Sequence, residues 1–487
     1  MSISDSQKPE LVIAFVAPVG VDLEWIESLV KDFLKQFAYA SEKISISSLI
    51  KNIAGIETVL VEEPAAARIN SYMTAGNEAR SNAGRGDILA ALAITEIMRK
   101  RTDYQPLHGR VQLLHSLKHP EEVRLLREVY QHGFFLIGIS SSKEKRLEYL
   151  RSRKGIPKDE AEALIARDES EDDKHGQHTR ETFHLSDAFV NIDSSDLSDR
   201  LGRIFKLLFG FPYSTPTVEE YAMFMAFSAS LRSADLSRQV GAVVMSPHGD
   251  CLSTGANDVP CFPGGLYWES SNKADHRDHV LGYDSNESMR TEIMVRILRK
   301  FFPDLSEADL LEKGEKELKD TGIFDITEYG RAVHAEMEAL LSCARTGVST
   351  RGAILYSTTF PCHNCAKHIV AAGISRVVFI EPYPKSQALR LHEDSIIFIE
   401  NQSNQGQNTK VTFEPFVGIG PRRYIDLFSL HLSGGSALQR KSKGRVVKWQ
   451  QKTAKVRFPM LPSTYLDNEI LQTRELNEEA EGKNGNQ

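Results

Sequence analysis

Two short runs carry residue types that can do chemistry together: His334-Ala335-Glu336 and, further on, Pro361-Cys362-His363-Asn364-Cys365. Cysteines three apart on one helical turn face the same way, and the N–H groups and dipole at a helix start favour the thiolates that bind zinc. With His334 they make three protein ligands. The fourth tetrahedral position is then open to water, which separates a catalytic zinc site from a closed structural one. Glu336, two residues from the histidine, is free to take a proton from that water and pass it on. His363 is the alternative fourth ligand, but lying between the cysteines it points away from their shared face.

These residues need elements to position them. His334 to Arg345 reads as a helix with apolar Met337, Leu340 and Leu341, and Gly352 to Thr358 reads as a short buried strand. The order helix, strand, turn, helix brings two helix starts side by side. One His, two Cys and a glutamate that is not a ligand form the signature of zinc enzymes that remove an amino group from a pyrimidine or purine ring by hydrolysis.

Further segments carry a resemblance. Ser237-Arg238-Gln239-Val240-Gly241-Ala242-Val243, Gly255-Ala256-Asn257-Asp258-Val259-Pro260, the His334 run and Thr359-Phe360-Pro361-Cys362-His363-Asn364-Cys365 are similar to the deoxycytidylate deaminases of the cytidine deaminase superfamily, over about Thr217 to Phe428. The whole layout resembles the bacterial anti-phage dCTP deaminases, in which a kinase-like domain precedes the deaminase. Gly265-Leu266-Tyr267-Trp268, Glu381-Pro382-Tyr383-Pro384-Lys385-Ser386 and Phe413 to Tyr424 add to it. The resemblance implies a cytidine-deaminase-like α/β/α sandwich, Zn2+ as cofactor, a homo-oligomer, and a role in defence by destroying the dCTP pool. It also implies that Asn257 hydrogen-bonds the sugar; the alternative is a turn-former. Arg238 is a candidate for a substrate phosphate or a solvated charge, Tyr383 for stacking on the nucleotide or packing at an edge, and Thr359 for a further substrate contact.

The N-terminal part reads as α/β. Leu11 to Val16 is a buried strand, followed by a turn at Pro18-Val19-Gly20 and a helix from about Asp22 to Phe37. Val111 to His115, Phe134 to Ser140 and Ala188 to Ile192 are further strands, with helical stretches such as Glu121 to Tyr130 between them. This resembles nucleoside monophosphate kinases with a P-loop. The Walker A pattern is degenerate, however: Val21 stands where lysine belongs, Asp22 where a magnesium-binding hydroxyl belongs, and Phe15 at the first glycine. Phosphoryl transfer is therefore not expected. Gly20 and Asp22 remain candidates for binding a regulatory nucleotide, with Asp22 more simply a helix cap.

The chain length of 487 residues suggests more than one core. The boundaries expected are a P-loop-kinase-like regulatory domain at 1–210, a deaminase-like catalytic domain at 215–430, and a basic extension with a disordered tail at 431–487. Within the deaminase, Val218 to Ser237 reads as a helix, and Val240 to Met245, Ala353 to Ser357, Val377 to Ile380, Ile396 to Ile399 and Val411 to Phe416 as five strands. The segment from Asp258 to Glu328 is an insertion expected to shape the pocket. A net charge of −7 with 41% hydrophobic residues argues against a general polyanion-binding surface. No targeting signal or membrane-length apolar run is read, and five cysteines suit a reducing cytoplasm. Cys251, Cys261, His276 and His279 match no standard zinc spacing and read as ordinary thiols and loop histidines. From Arg440 to Arg457 there are eight basic residues and no acid, interleaved with Val446, Val447, Trp449 and Val456. That suits docking on an acidic body better than an RNA patch.

Three function classes follow. A zinc hydrolase acting on free deoxycytidine nucleotides, dCTP and also dCMP, fits best. A polynucleotide deaminase would need a basic channel with aromatic platforms, which the charge disfavours. A nucleotide-binding switch with a structural zinc is disfavoured by the His334 and Glu336 pairing. The regulator at the N-terminal domain would be a nucleotide or an RNA.

Overall fold

The computed structural model describes residues 8–53, 55–169, 178–269, 274–318, 321–383, 385–399, 409–431 and 434–484. Pro384, residues 485–487 and parts of the Asp258 to Glu328 insertion lie outside these. The protein is mixed α/β with two six-stranded sheets. Its contacts divide it into two units, the first comprising Met1–Glu220 and Phe416–Gln487, the second Tyr221–Ile399 and Gln405–Pro415.

The first unit is built on β1 (Leu11–Val16), β2 (Ala40–Ser45), β3 (Arg110–His115), β4 (Phe134–Ser140) and β5 (Ala188–Asn191). These five are parallel in the order β5-β4-β1-β3-β2. Four were legible as runs of apolar residues buried on both faces. The edge strand β2, with the polar sequence ASEKIS and mostly exposed, carries no such signal. One face of β1, with Ile13 and Phe15, packs on the helices Leu23–Gln36 and Leu197–Leu208; the other, with Val12 and Ala14, packs on Ile88–Arg99 and Pro120–Tyr130.

The second unit holds β6 (Gly241–Met245), β7 (Cys251–Ala256), β8 (Ile354–Thr359), β9 (Arg376–Glu381), β10 (Ile396–Phe398) and β11 (Val411–Pro415), in the order β10-β11-β9-β8-β6-β7. Six strands stand where five were expected. β7, Cys-Leu-Ser-Thr-Gly-Ala, is small and polar and pairs antiparallel with β6. Helices cover both faces. Gly241 lies against Ala226 and Ser230 of the helix Val218–Ser230, and Gly255 against Ala335 and Ala339 of the helix Ala335–Thr346; a Cβ at either glycine would meet backbone. The first helix stops at Ser230, short of the expected Ser237, because Ser233 and Ala234 turn to donate to Asn257 C=O and the Asp258 carboxylate, while Asp235 N–H donates to Ser233 Oγ. The insertion folds into helices Ser285–Phe301 and Glu307–Glu317 around Met294, Val295, Leu298 and Leu310.

The C-terminal segment packs with the first unit. Gly418–Ile419 forms β12, antiparallel to β5, so the chain has rejoined the first unit well before residue 430. Val456 and Phe458 enter one core of that unit and Met460 and Tyr465 the other, and the last helix runs Pro462–Asn484 through most of the tail expected to lack structure. The reason is a stripe, Tyr465, Glu469, Thr473 and Leu476, at helical spacing. It is anchored by an ion, which composition conceals: Arg101 grips Glu469 through two 2.7 Å hydrogen bonds and Glu10 at 2.8 Å, all fully buried.

Candidate zinc-deaminase site

His334 and Cys362 are both N-cap residues, of the helices Ala335–Thr346 and His363–Ala371. β8 leads into the turn before Cys362, and the second helix starts there because the Cys362 sulfur accepts the Cys365 N–H at 3.4 Å. His334 Nδ1 lies 3.3 Å from each sulfur, and the three ligand atoms fall within 4.8 Å of one another. Donors held by one zinc ion at roughly 2.0–2.3 Å stand about 3–4 Å apart, so this donor set fits the ion. Hydrogen bonding from Cys365, then from His334, draws the Cys362 thiol down to about 4, while the same Cys362 partnership and burial push Cys365 up.

Glu336 is buried within this group. Its Oε2 accepts from the Cys365 thiol at 3.3 Å and its Oε1 from the Ser357 hydroxyl at 3.5 Å. Burial, then the Cys362 charge, raises its pKa above the usual carboxylate range, which suits a group that must both gain and release a proton. Ser357 on β8 was missed from sequence, where one serine in a strand carries no signal. His363 instead turns its Nε2 toward Glu328 at 3.8 Å. Among the described residues the only metal-capable group of three is His334, Cys362 and Cys365, so Cys251, Cys261, His276 and His279 are not gathered into a second one.

Arg238, Thr359 and Tyr383 are brought together by a residue that sequence reasoning passed over, Glu381. Its carboxylate accepts from Thr359 Oγ1 at 3.2 Å and faces Arg238 at 3.5 Å, while the Arg238 guanidinium lies 4.9 Å over the Tyr383 ring. The pairing of Phe360 N–H with Glu381 C=O at 2.7 Å ties this cluster to the cysteine turn. Glu381 opens the Glu381-Pro382-Tyr383 run, the one signal that could have found it. Asn257 holds the backbone of this cluster. Its Oδ1 accepts from Val240 N–H at 2.6 Å and its Nδ2 donates to Arg238 C=O at 2.8 Å, so the side chain clips the backbone that presents Arg238.

In the first unit, Asp22 is the N-cap of the helix Leu23–Gln36, accepting from Trp25 N–H at 3.1 Å. Gly20 has φ +93°, and a Cβ there would come within 2.8 Å of the Arg146 Cβ. Both therefore have work in shaping the turn.

Residues 216–381 match the family model for the cytidine and deoxycytidylate deaminase zinc-binding region, which fits the donor set at His334, Cys362 and Cys365. This region is deoxycytidylate-deaminase-like. The deoxycytidylate deaminase of Enterobacteria phage T2 is 29% identical over 163 residues, 34% of this chain and 79% of the relative. The deoxycytidylate deaminase of Saccharomyces cerevisiae is 25% identical over 345 residues, 63% of this chain and 91% of the relative. A solved structure, the dCMP deaminase from cyanophage S-TIM5 in complex with dCMP and dUMP, is similar at 18% identity, with a TM-score of 0.23 over 42% of this chain and 100% of that one. No helix among the described residues is long and apolar enough to cross a membrane.

Proposed function

We propose that the second unit hydrolyses the exocyclic amine of free deoxycytidine nucleotides, dCTP and also dCMP, giving the deoxyuridine nucleotide and ammonia. The observation that carries this is a buried, proton-accepting Glu336 set against a three-donor zinc group. A bound zinc ion would supply an acidified water at its open position. His334, Cys362 and Cys365 would hold that ion. Glu336 would take the proton from the attacking water and give it to the ring nitrogen, then take the proton of the hydroxyl formed on the ring carbon and give it to the departing amine, so that two protons are taken and two delivered. Ser357 keeps the carboxylate aimed. Arg238, backed by Glu381 and Tyr383, is the group we assign to the substrate phosphate, with Thr359 beside it.

The first unit is, in this reading, a P-loop-kinase-like regulatory domain whose degenerate loop does not transfer phosphate, and whose control over the second unit is exerted by a nucleotide or an RNA. The protein works as a homo-oligomer in the cytoplasm, and depletion of dCTP is its contribution to antiviral defence. Incubation of the purified protein with dCTP, dCMP, cytidine and a cytosine-containing oligonucleotide, following ammonia, tests the substrate class. Release from the oligonucleotide alone, or from none of the four, would refute it.

A further inference from the structure

The turn after β1 already holds an anion, and the anion is the protein's own. Val19 N–H donates to Asp168 Oδ2 at 2.7 Å, Lys118 Nζ to Oδ1 at 2.6 Å, and Thr179 Oγ1 to Oδ1 at 3.2 Å. Lys118 is steadied by a second bond to Ala17 C=O at 2.8 Å. The Asp168 carboxylate is fully buried, on the last turn of the helix Lys158–Glu169. Its donors come from the turn after β1, the loop after β3, and the start of the helix Thr179–Phe183. A backbone N–H, an ammonium and a hydroxyl converging on one point make an oxyanion site. It lies beyond the carboxyl ends of two adjacent central strands, where open parallel sheets take their ligands.

We propose that Asp168 is a tethered occupant of this site, filling the donor set that a phosphoryl group would otherwise take, so that carboxylate and phosphate exclude one another there. The ligand class is a phosphoryl group, carried by a nucleotide or by free polyphosphate. Tethering gives the carboxylate a high effective concentration, so a phosphate from solution competes poorly until the helix end that carries Asp168 is drawn away. A buried Lys–Asp staple with no ligand role would show the same distances, but removing its acid would not create affinity for free anions.

The full chain is therefore titrated calorimetrically with inorganic tripolyphosphate and, separately, with ATP. Asp168→Ala, which opens the space and leaves Lys118 uncompensated, should bind tripolyphosphate at least roughly tenfold more tightly than the parent. Adding Lys118→Met should abolish the gain. A gain shared by ATP marks a nucleotide as the phosphate source, and a gain confined to tripolyphosphate marks free polyphosphate; either supports the proposal. A folded Asp168→Ala protein that binds no tighter than the parent, or a gain that survives Lys118→Met, overturns it. If Asp168→Ala does not fold, Asp168→Asn keeps the shape without the charge, and a thermal midpoint that rises with tripolyphosphate supports the same conclusion. An unchanged midpoint, or failure of both variants to fold with and without the anion, shows a structural staple and overturns it.

Discussion

Glu336 is confined on two sides, by a thiol and a hydroxyl, and its burial keeps its proton affinity high. Glu336→Gln keeps the shape and removes the base, so ammonia release should fall by roughly 10²–10⁴-fold while zinc content, measured by metal analysis, stays at the parent level. Ordinary turnover would sink the assignment. Cys362→Ser should separate the two effects: bound zinc falls well below one per chain and activity goes with it, because only two protein donors remain. The zinc donors were legible because metal chemistry restricts both residue type and spacing. Asn257 was legible as a special residue, and the structure adds its two backbone bonds, which no spacing reveals. Asn257→Ala leaves Val240 N–H and Arg238 C=O without this partner, at a cost of about 1–3 kcal/mol in a urea titration. An unchanged midpoint would mean that the clip is idle.

Strands announced themselves where their residues are apolar, the edge strand β10 with Ile396, Ile397 and Phe398 included, and stayed silent where an edge strand is polar. β1, β3, β4 and β5 were readable for the first reason, while β2 and β7 were missed for the second. The last helix was hidden for a different reason. Its composition is charged, and what fixes it is one buried carboxylate that meets its arginine 368 positions away, a distance that no local pattern spans. Glu469→Ala leaves Arg101 with Glu10 as its one carboxylate partner and strips Tyr130 of its acceptor. Stability should drop on the order of 3 kcal/mol, read as a lower denaturation midpoint. A variant as stable as the parent would place the helix elsewhere.

At the scale of the molecule, acid tolerance depends on histidines that the fold keeps neutral. His115, buried against Phe15 and facing Glu27, Lys43 and Lys31, has its pKa pushed down to about 4, chiefly by desolvation. The ordinary value is near 6.5. Above that value neither folded nor unfolded chain is protonated here, and the stability is intact. As pH falls from about 6.5 toward 4 the unfolded chain binds a proton that the fold refuses, so stability declines by on the order of 2–3 kcal/mol. Denaturation midpoints across this window should slope downward, and His115→Gln should flatten the slope. A parent whose midpoint does not change with pH would refute the argument. None of this was visible beforehand, because burial of a histidine is a property of packing.

The chain passes from the first unit to the second at Glu220 and Tyr221 and comes back at Pro415 and Phe416. A ribosome making this protein therefore completes the whole deaminase-like unit before it supplies the last strand and the closing helix of the unit it began with. During that interval the sheet edge at β5 lacks β12 and the cores lack Val456, Phe458, Met460 and Tyr465, leaving apolar surface open to wrong partners. The zinc-binding unit is thus an insert carried inside a host whose segments lie on both sides of it in the chain. A nonsense mutation between residues 416 and 456 would release the insert complete and its host without Val456, Phe458, Met460 and Tyr465.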